Sequence, residues 1–152
     1  MKNVILKDYP PLTDGEIAVV VKEKHPAGLH KGWVPFYDFE IRLRGKADSI
    51  GRIALRIGNT RDLKMYGGHI GYNINEEYRG HHYAAKGCKL IRQIALDYGL
   101  KTLWITCNPD NHASRKTCEA LGCEMVEIVD LPEYSDMYQA GERQKCRYRW
   151  RL

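Results

Sequence analysis

A long amphipathic helix followed at once by an apolar strand constrains this chain more than any other feature. Over residues 83–98, Ala84, Cys88, Ile91, Ala95 and Tyr98 recur at spacings of three and four, with Leu90 and Ile94 beside them. That spacing lines one face of an α-helix with apolar groups. Gly99 ends it, as glycine does by entering the left-handed region. "TLWITCN" (102–108) is nearly all apolar and reads as a strand buried on both faces. Ahead of the helix, "MYGGHIGYNIN" (65–75) reads as a strand with glycines at 67, 68 and 71. Glycine inside a strand marks a bulge or a close backbone approach. A helix with so wide an apolar stripe between two strands requires a sheet to bury it.

The rest of the chain supplies that sheet. "VILKDY" (4–9), "EIAVVVKEKH" (16–25), "FYDFEIRLR" (36–44) and "SIGRIALRIG" (49–58) are strand candidates, with Gly51 marking a bulge. "PPLTDG" (10–15) reads as a turn and "PAGLHKGWVP" (26–35) as a loop. In 36–44, Tyr37, Phe39, Ile41 and Leu43 fall on one side and Phe36, Asp38, Glu40, Arg42 and Arg44 on the other, as a half-buried strand requires. "NHASRKTCEALG" (111–122) is a second helix, capped by Asn111 and ended by Gly122. "CEMVEIVDL" (123–131) is a strand, "PEYSDMYQAGE" (132–142) a polar loop, and "KCRYRWRL" (145–152) a last strand.

Bulk properties narrow the class. The 152 residues suit one domain with a real core. No apolar run reaches the roughly 18 residues of a membrane span, and the first residues lack the pattern of a signal peptide. Five cysteines (88, 107, 118, 123 and 146) without tight pairs argue against a disulfide framework. They fit a reducing, cytoplasmic setting. Cys118 and Cys123 with His112 are the nearest approach to a metal-ligand set, but small buried core residues are the better reading, and no metal is expected. The net charge of +5 does not by itself indicate nucleic acid. Arg147, Arg149 and Arg151 share one side of the last strand, which reads as a solvated edge blunted by charge, with a nucleic-acid-binding face as the alternative.

"YNINEEYRGHHYA" joins the strand at 65–75 to the long helix. The first N–H groups of a helix lack internal partners and carry the positive end of its dipole. They form an anion site that suits a diphosphate, and Arg79 can add a charged contact. The stretch matches neither common glycine-rich phosphate fingerprint, so a connector with a solvated arginine stays open on spacing alone.

The run "GHIGYNINEEYRGHHYAAKGCKLIRQIALDYGLKTLWITCNPDNHASRKTCEALGCE" resembles the core of the GCN5-related N-acetyltransferase (GNAT) superfamily over roughly residues 66–125. In that family a strand leads into Gln/Arg-x-x-Gly-x-Gly/Ala and a long helix. A second strand and an Asn-x-x-Ser or Asn-x-x-Ala helix start follow. The resemblance implies an α/β (α+β) fold. It has one mixed, mostly antiparallel sheet of about seven strands, helices on both faces, and a splay at the middle strands. Residues 1–152 would form a single acetyltransferase domain. It also implies acetyl-CoA as cosubstrate. Tyr72, Asn73 and Ile74 would meet the pantetheine arm. Arg79, Gly80, His81, His82, Tyr83 and Ala84 would hold the pyrophosphate. Asn111 and Ser114 would face the cofactor from the second helix.

Three positions depart from that pattern. His82 replaces the second glycine of the loop. A backbone cradle tolerates a side chain if φ stays negative, so residue 82 is expected to have helical dihedrals. Cys118 stands where many members carry a tyrosine that protonates the leaving thiolate. It could donate a proton or simply pack on the sheet. Cys123 replaces the usual phenylalanine. The implied activity is transfer of an acetyl group to a primary amine, on a small molecule or a peptide. The alternative is a non-catalytic acyl-CoA-binding domain.

The general base stays open among Asp38, Glu40, His69, Glu76, Glu77, Asp130, Glu133 and Asp136, each of which also reads as a solvated or structural group. The His81–His82 pair reads as exposed. The family usually places two helices between its first two strands, but residues 10–35 carry little helical pattern, so the acceptor pocket is expected to be built differently. Trp33, Phe36, Tyr37, Tyr134 and Tyr138 could wall it. They could equally belong to the core or to a homodimer contact.

Overall fold

The computed structural model describes residues 4–27 and 33–152; the loop glycines Gly28 and Gly32 lie outside them. Eight strands form two antiparallel sheets. The first, in spatial order β1–β2–β3–β4–β5, comprises Leu12–Thr13, Ile17–His25, Phe36–Leu43, Ser49–Arg56 and Ile70–Ile74. The second, in order β6–β8–β7, comprises Thr102–Cys107 (β6), Glu124–Asp130 (β7) and Gln144–Arg151 (β8). Helix α1 (Tyr83–Asp97) lies on β2, β4 and β5 and touches α2 (His112–Ala120), which lies on β6.

Alternation builds the core. Ile17 and Val19, then Tyr37, Phe39 and Ile41, then Ile53 and Leu55 are buried and turn toward the buried stripe of α1, Cys88, Ile91, Ile94 and Ala95. Leu103 and Ile105 of β6 and Cys146, Tyr148 and Trp150 of β8 extend the same cluster under Cys118 and Leu121. Gly87 lets α1 approach the sheet closely: a Cβ there would lie 2.5 Å from Ile53 Cδ1.

Several expectations need correction. Residues 4–9 form no strand; instead Leu12–Thr13, inside the expected turn, pairs with Ala18 and Val19. Side chains hold the N-terminal segment in place of a ladder: Lys7 N donates to Tyr98 Oη (2.7 Å) and Tyr37 Oη donates to Lys7 O (2.7 Å). The strand expected from residue 65 starts only at Ile70, because Leu63–Gly67 forms one turn of π-helix. Strand β6 is not buried on both faces; its pattern alternates, and the Arg147 guanidinium covers the outer face of Trp104 at 4.1 Å. Strand β8 is the middle strand of its sheet, not an edge. Its arginines are matched by Glu127 and Glu124 of β7, at 2.8 Å from Arg147 and 2.6 Å from Arg149. The loop at 132–142 contains a short helix, α3 (Asp136–Gln139), capped by Ser135. Gly51 does adjoin an irregularity: Ile41 pairs with Gly51 and Arg42 with Ser49, which leaves Ile50 as the extra residue. No described helix falls between β2 and β3.

Candidate active site

The two sheets meet at one joint. The N–H of His69 donates to Trp104 O (2.7 Å), and the N–H of Trp104 donates to His69 Nδ1 (2.8 Å). Because Nδ1 accepts, the ring proton sits on Nε2, which donates to Gly58 O at 2.9 Å. Burial pushes His69 down to about 4, so the imidazole is neutral and structural rather than a base. Gly68 has φ +77°, and a Cβ there would lie 3.0 Å from Trp104 O and 3.2 Å from Thr106 N. Only glycine permits this approach. Thr106 Oγ1 closes the joint by donating to Tyr66 O at 2.7 Å.

Beyond the joint the strands part. β5 pairs only with β4, and β6 with β8. His69 itself turns its N–H to β6 and its carbonyl to Arg56 N of β4, which is the kink that separates them. A cleft of about 760 Å³ opens there, lined by both strands and by the starts of α1 and α2. Asn75 N donates to Ile50 O, so the odd-numbered residues of β5 face β4. By alternation, Ile70, Tyr72 and Ile74 present their backbone groups to the cleft.

Helix α1 begins at one end of this cleft. His82, its first flanking residue, makes no capping bond from its side chain. Gly80 (φ +92°) and His82 (φ +61°) flank His81, an alternation that turns successive N–H groups into one concavity. The expectation of helical dihedrals at 82 was therefore wrong. The loop keeps the left-handed geometry that glycine would supply, and His82 bears the strain.

Ten of the expected residues line the cleft: Tyr72, Asn73, Ile74, Arg79, Gly80, His82, Tyr83, Ala84, Asn111 and Ser114. Arg79 Nε donates to Ile74 O at 2.8 Å, which folds the arginine across the end of β5. Asn111 accepts from Ser114 N as the cap of α2. His81 is not a lining residue and stacks on Tyr83 at 5.3 Å. Cys118 is 0% exposed and does not line the cleft either. Its contact with Cys123, and its burial, push the thiol well above the ordinary range, which favours a packing role. The Tyr72 hydroxyl lies 3.8 Å from Cys118 Sγ and 2.7 Å from Ser114 Oγ.

A second hollow, of about 600 Å³, lies beyond the joint. Phe36 and Arg56, which line it, alternate with core residues, so it opens on the sheet face away from α1. Trp33, Phe36 and Tyr134, three of the rings considered for an acceptor pocket, line it with Tyr66, Asp62 and Asp136. Tyr37 and Tyr138 do not. Tyr37 is in the core, 2.6 Å from Tyr98 Oη, and Tyr138 lies under the Arg143 guanidinium at 3.9 Å. Among the expected bases, Asp38 is paired with Arg52 and Glu40 with Arg42, while Asp130 accepts from Gln144. Asp136 is the one that lines this hollow.

Sequence reasoning missed the polar group at the mouth of the cleft. Asn108 donates to Glu142 Oε1 (2.8 Å), and Lys145 donates to Asn108 Oδ1 (2.7 Å) and Glu142 Oε1 (3.1 Å). Burial raises the Glu142 carboxyl, but the bonds from Asn108 and Lys145 outweigh it and hold the group low. A Glu and a Lys three apart across a loop–strand junction were the only sequence signal.

A search of curated protein sequences returns no match. Among solved structures, the chain is similar to the microcin C7 self-immunity acetyltransferase MccE in complex with acetyl-CoA and AMP. The TM-score is 0.59 at 18% identity, over 77% of this chain and 61% of that one. It is also similar to the ribosomal-protein-S5-alanine acetyltransferase from Vibrio fischeri, with TM-score 0.60 and 19% identity over 76% of this chain and 61% of that one. The chain thus spans about three fifths of the length of these two. A candidate acetyltransferase from Sphaerobacter thermophilus is matched over its whole length and 96% of this chain, with TM-score 0.59 and 12% identity. At such identities the likeness is one of fold. Residues 7–124 match the acetyltransferase (GNAT) domain family, and the chain belongs to that family.

Proposed function

We propose that this protein transfers an acetyl group from acetyl-CoA to a primary amine by direct attack. The observation that carries the reading is the cleft between β5 and β6, which ends at the uncapped start of α1. Backbone N–H groups from Gly80 to Ala84 hold the pyrophosphate. The cleft-facing backbone of Tyr72 and the N–H of Ile74, whose carbonyl already accepts from Arg79, take the pantetheine amides as an added strand would. The N–H of Tyr72 polarises the acetyl carbonyl where negative charge develops. The amine nitrogen attacks that carbon, the C–S bond breaks with its electron pair on sulfur, and one amine proton leaves to a base or water. Glu142 stays ionised beside Lys145 and shapes the mouth of the cleft.

Burial of Cys118 supports the second reading, an acyl-CoA-binding domain without turnover. A thiol-release screen across amine classes, run beside a melting shift with acetyl-CoA, separates the two. Amine-dependent release supports transfer. A melting shift with no release from any amine supports binding alone. No shift with either acetyl-CoA or CoA at about millimolar concentration ends both.

A further inference from the structure

The polar group at the mouth of the cleft holds the parts of a base and an acid. We infer that Glu142 and Lys145 form a proton relay for the transfer: the carboxylate accepts the proton that the attacking amine loses, and the ammonium gives one to the departing CoA thiolate. This rests on the acetyltransferase reading and names two catalytic residues for it. Three observations support it.

First, the position. From the joint, both Ile70–Ile74 and residues 105–108 run on into the cleft. Tyr72 stands three residues past His69, and Asn108 four past Trp104. Asn108 therefore lies level with Tyr72, whose N–H polarises the acetyl carbonyl. Asn108 also binds both members of the pair: it donates to Glu142 Oε1 (2.8 Å) and accepts from Lys145 Nζ (2.7 Å). All three residues line the cleft.

Second, the count of donors and acceptors. A lysine ammonium has three N–H donors, and a carboxylate accepts on both oxygens. Among the described residues Lys145 engages two acceptors, Asn108 Oδ1 and Glu142 Oε1 (3.1 Å). Glu142 takes both of its bonds on Oε1. One N–H of Lys145 and the Oε2 edge of Glu142 are left for what enters the cleft. Lysine is almost never buried without a partner; Lys145 is 7% exposed, and Glu142 supplies the partner. The bonds to Glu142 outweigh its burial and hold it low, so it rests as the carboxylate.

Third, the other groups along the cleft are poorly suited to protonate a thiolate. Cys118 does not line it. Burial above all pushes Tyr72 far beyond the ordinary phenol range, and its hydroxyl is engaged with Ser114. Burial pushes the Cys107 thiol up to about 11. Tyr78, Arg79, His82 and Tyr83 stand on the loop and first turn assigned to the pyrophosphate, and Lys116 stands on α2. Lys145 is the cation at the level of Tyr72.

The steps balance. The amine attacks as its free base. On bonding to the carbonyl carbon its nitrogen becomes positively charged, and its N–H becomes acidic enough for a carboxylate to take. The C–S bond breaks with its electron pair on sulfur, and Lys145 protonates the thiolate. Glu142 is then a carboxylic acid and Lys145 a neutral amine, and a proton passing from one to the other restores the ion pair. No outside co-reactant is needed.

The test has two readouts. The first needs no acceptor: the thiol of bound CoA is titrated by the ultraviolet absorbance of its thiolate, against the protein alone. An ammonium beside the sulfur favours the thiolate, so bound CoA should titrate about one pH unit below free CoA, and Lys145→Met should erase the difference. The second is thiol release from acetyl-CoA with butylamine, glucosamine and a short peptide with a free N-terminus, using whichever reacts fastest. Lys145→Met and Lys145→Arg should each lower kcat about a hundredfold, with KM for acetyl-CoA within about twofold, and Glu142→Gln should lower kcat at least about tenfold. Arginine keeps the charge but does not give up a proton. Recovery of activity in Lys145→Arg would therefore overturn the relay, as would a bound CoA thiol that titrates alike in the wild type and Lys145→Met. The acetyl-CoA melting shift shows that each variant is folded and keeps the outcomes apart. If the wild type releases thiol and the folded variants match it, only the relay falls. If the wild type releases no thiol with any of the amines, the acetyltransferase reading falls and the relay with it.

Discussion

His82 shows what a single residue can reveal. Its φ of +61° is the only positive value at a non-glycine position among the described residues. A left-handed conformation costs a side-chain-bearing residue on the order of 1 kcal/mol. The chain tolerates that cost because the turn before α1 needs this geometry to aim its N–H groups. His82→Gly should therefore raise stability by about 1 kcal/mol, read as a melting increase of roughly 3 °C. A loss of stability would show that the imbalance lies elsewhere. His69 makes a different prediction. Its folded pKa is depressed below the unfolded 6.5 to about 4, so the unfolded chain binds more protons between those values. The stability that neutral His69 contributes is complete above pH 6.5 and lost as pH falls toward 4. From pH 7 to pH 5 the wild type should lose roughly 2 kcal/mol more than His69→Asn, measured by denaturant titration at both pH values.

At the scale of elements, the joint between β5 and β6 organises the site. Gly68→Ala would push a methyl onto Trp104 O and Thr106 N at a φ that disfavours any side chain. A loss of about 2 kcal/mol is expected, with weaker acetyl-CoA binding, because the joint sets where the strands diverge. Thermal melts and calorimetry on one preparation check both parts. The elements differ in how legible they were. Helix α1 and the cap of α2 followed from spacing and from Asn111, because local chemistry decides them. The left-handed residue 82 did not, because the turn's demand for N–H direction overrode the side chain's preference. Of the glycines at 67, 68 and 71, only Gly68 meets an approaching backbone, and the sequence did not say which strand approached. The Arg147–Trp104 stack was hidden because it joins residues 43 apart, and the expected edge strand is a middle one because β8 pairs with both β6 and β7. Glu142, Lys145 and Asn108 came together only through the fold of the last loop.

For the whole molecule, the absence of described helices between β2 and β3 explains the rest. The sheet face that such helices would cover carries Asp38, Glu40, Arg42 and Arg52 in ion pairs instead, and at one end it leaves the aromatic hollow open. Two hollows on opposite sides of one joint leave room for the two-substrate transfer proposed above. No described helix is long and apolar enough to cross a membrane. The central claim is the place of the donor, and amide hydrogen exchange reads it directly. With about 1 mM acetyl-CoA, protection should rise at the amides of residues 70–74 and 80–85, with β2 and β3 unchanged. Unchanged exchange in both of those segments would contradict the account, as would protection confined to β7.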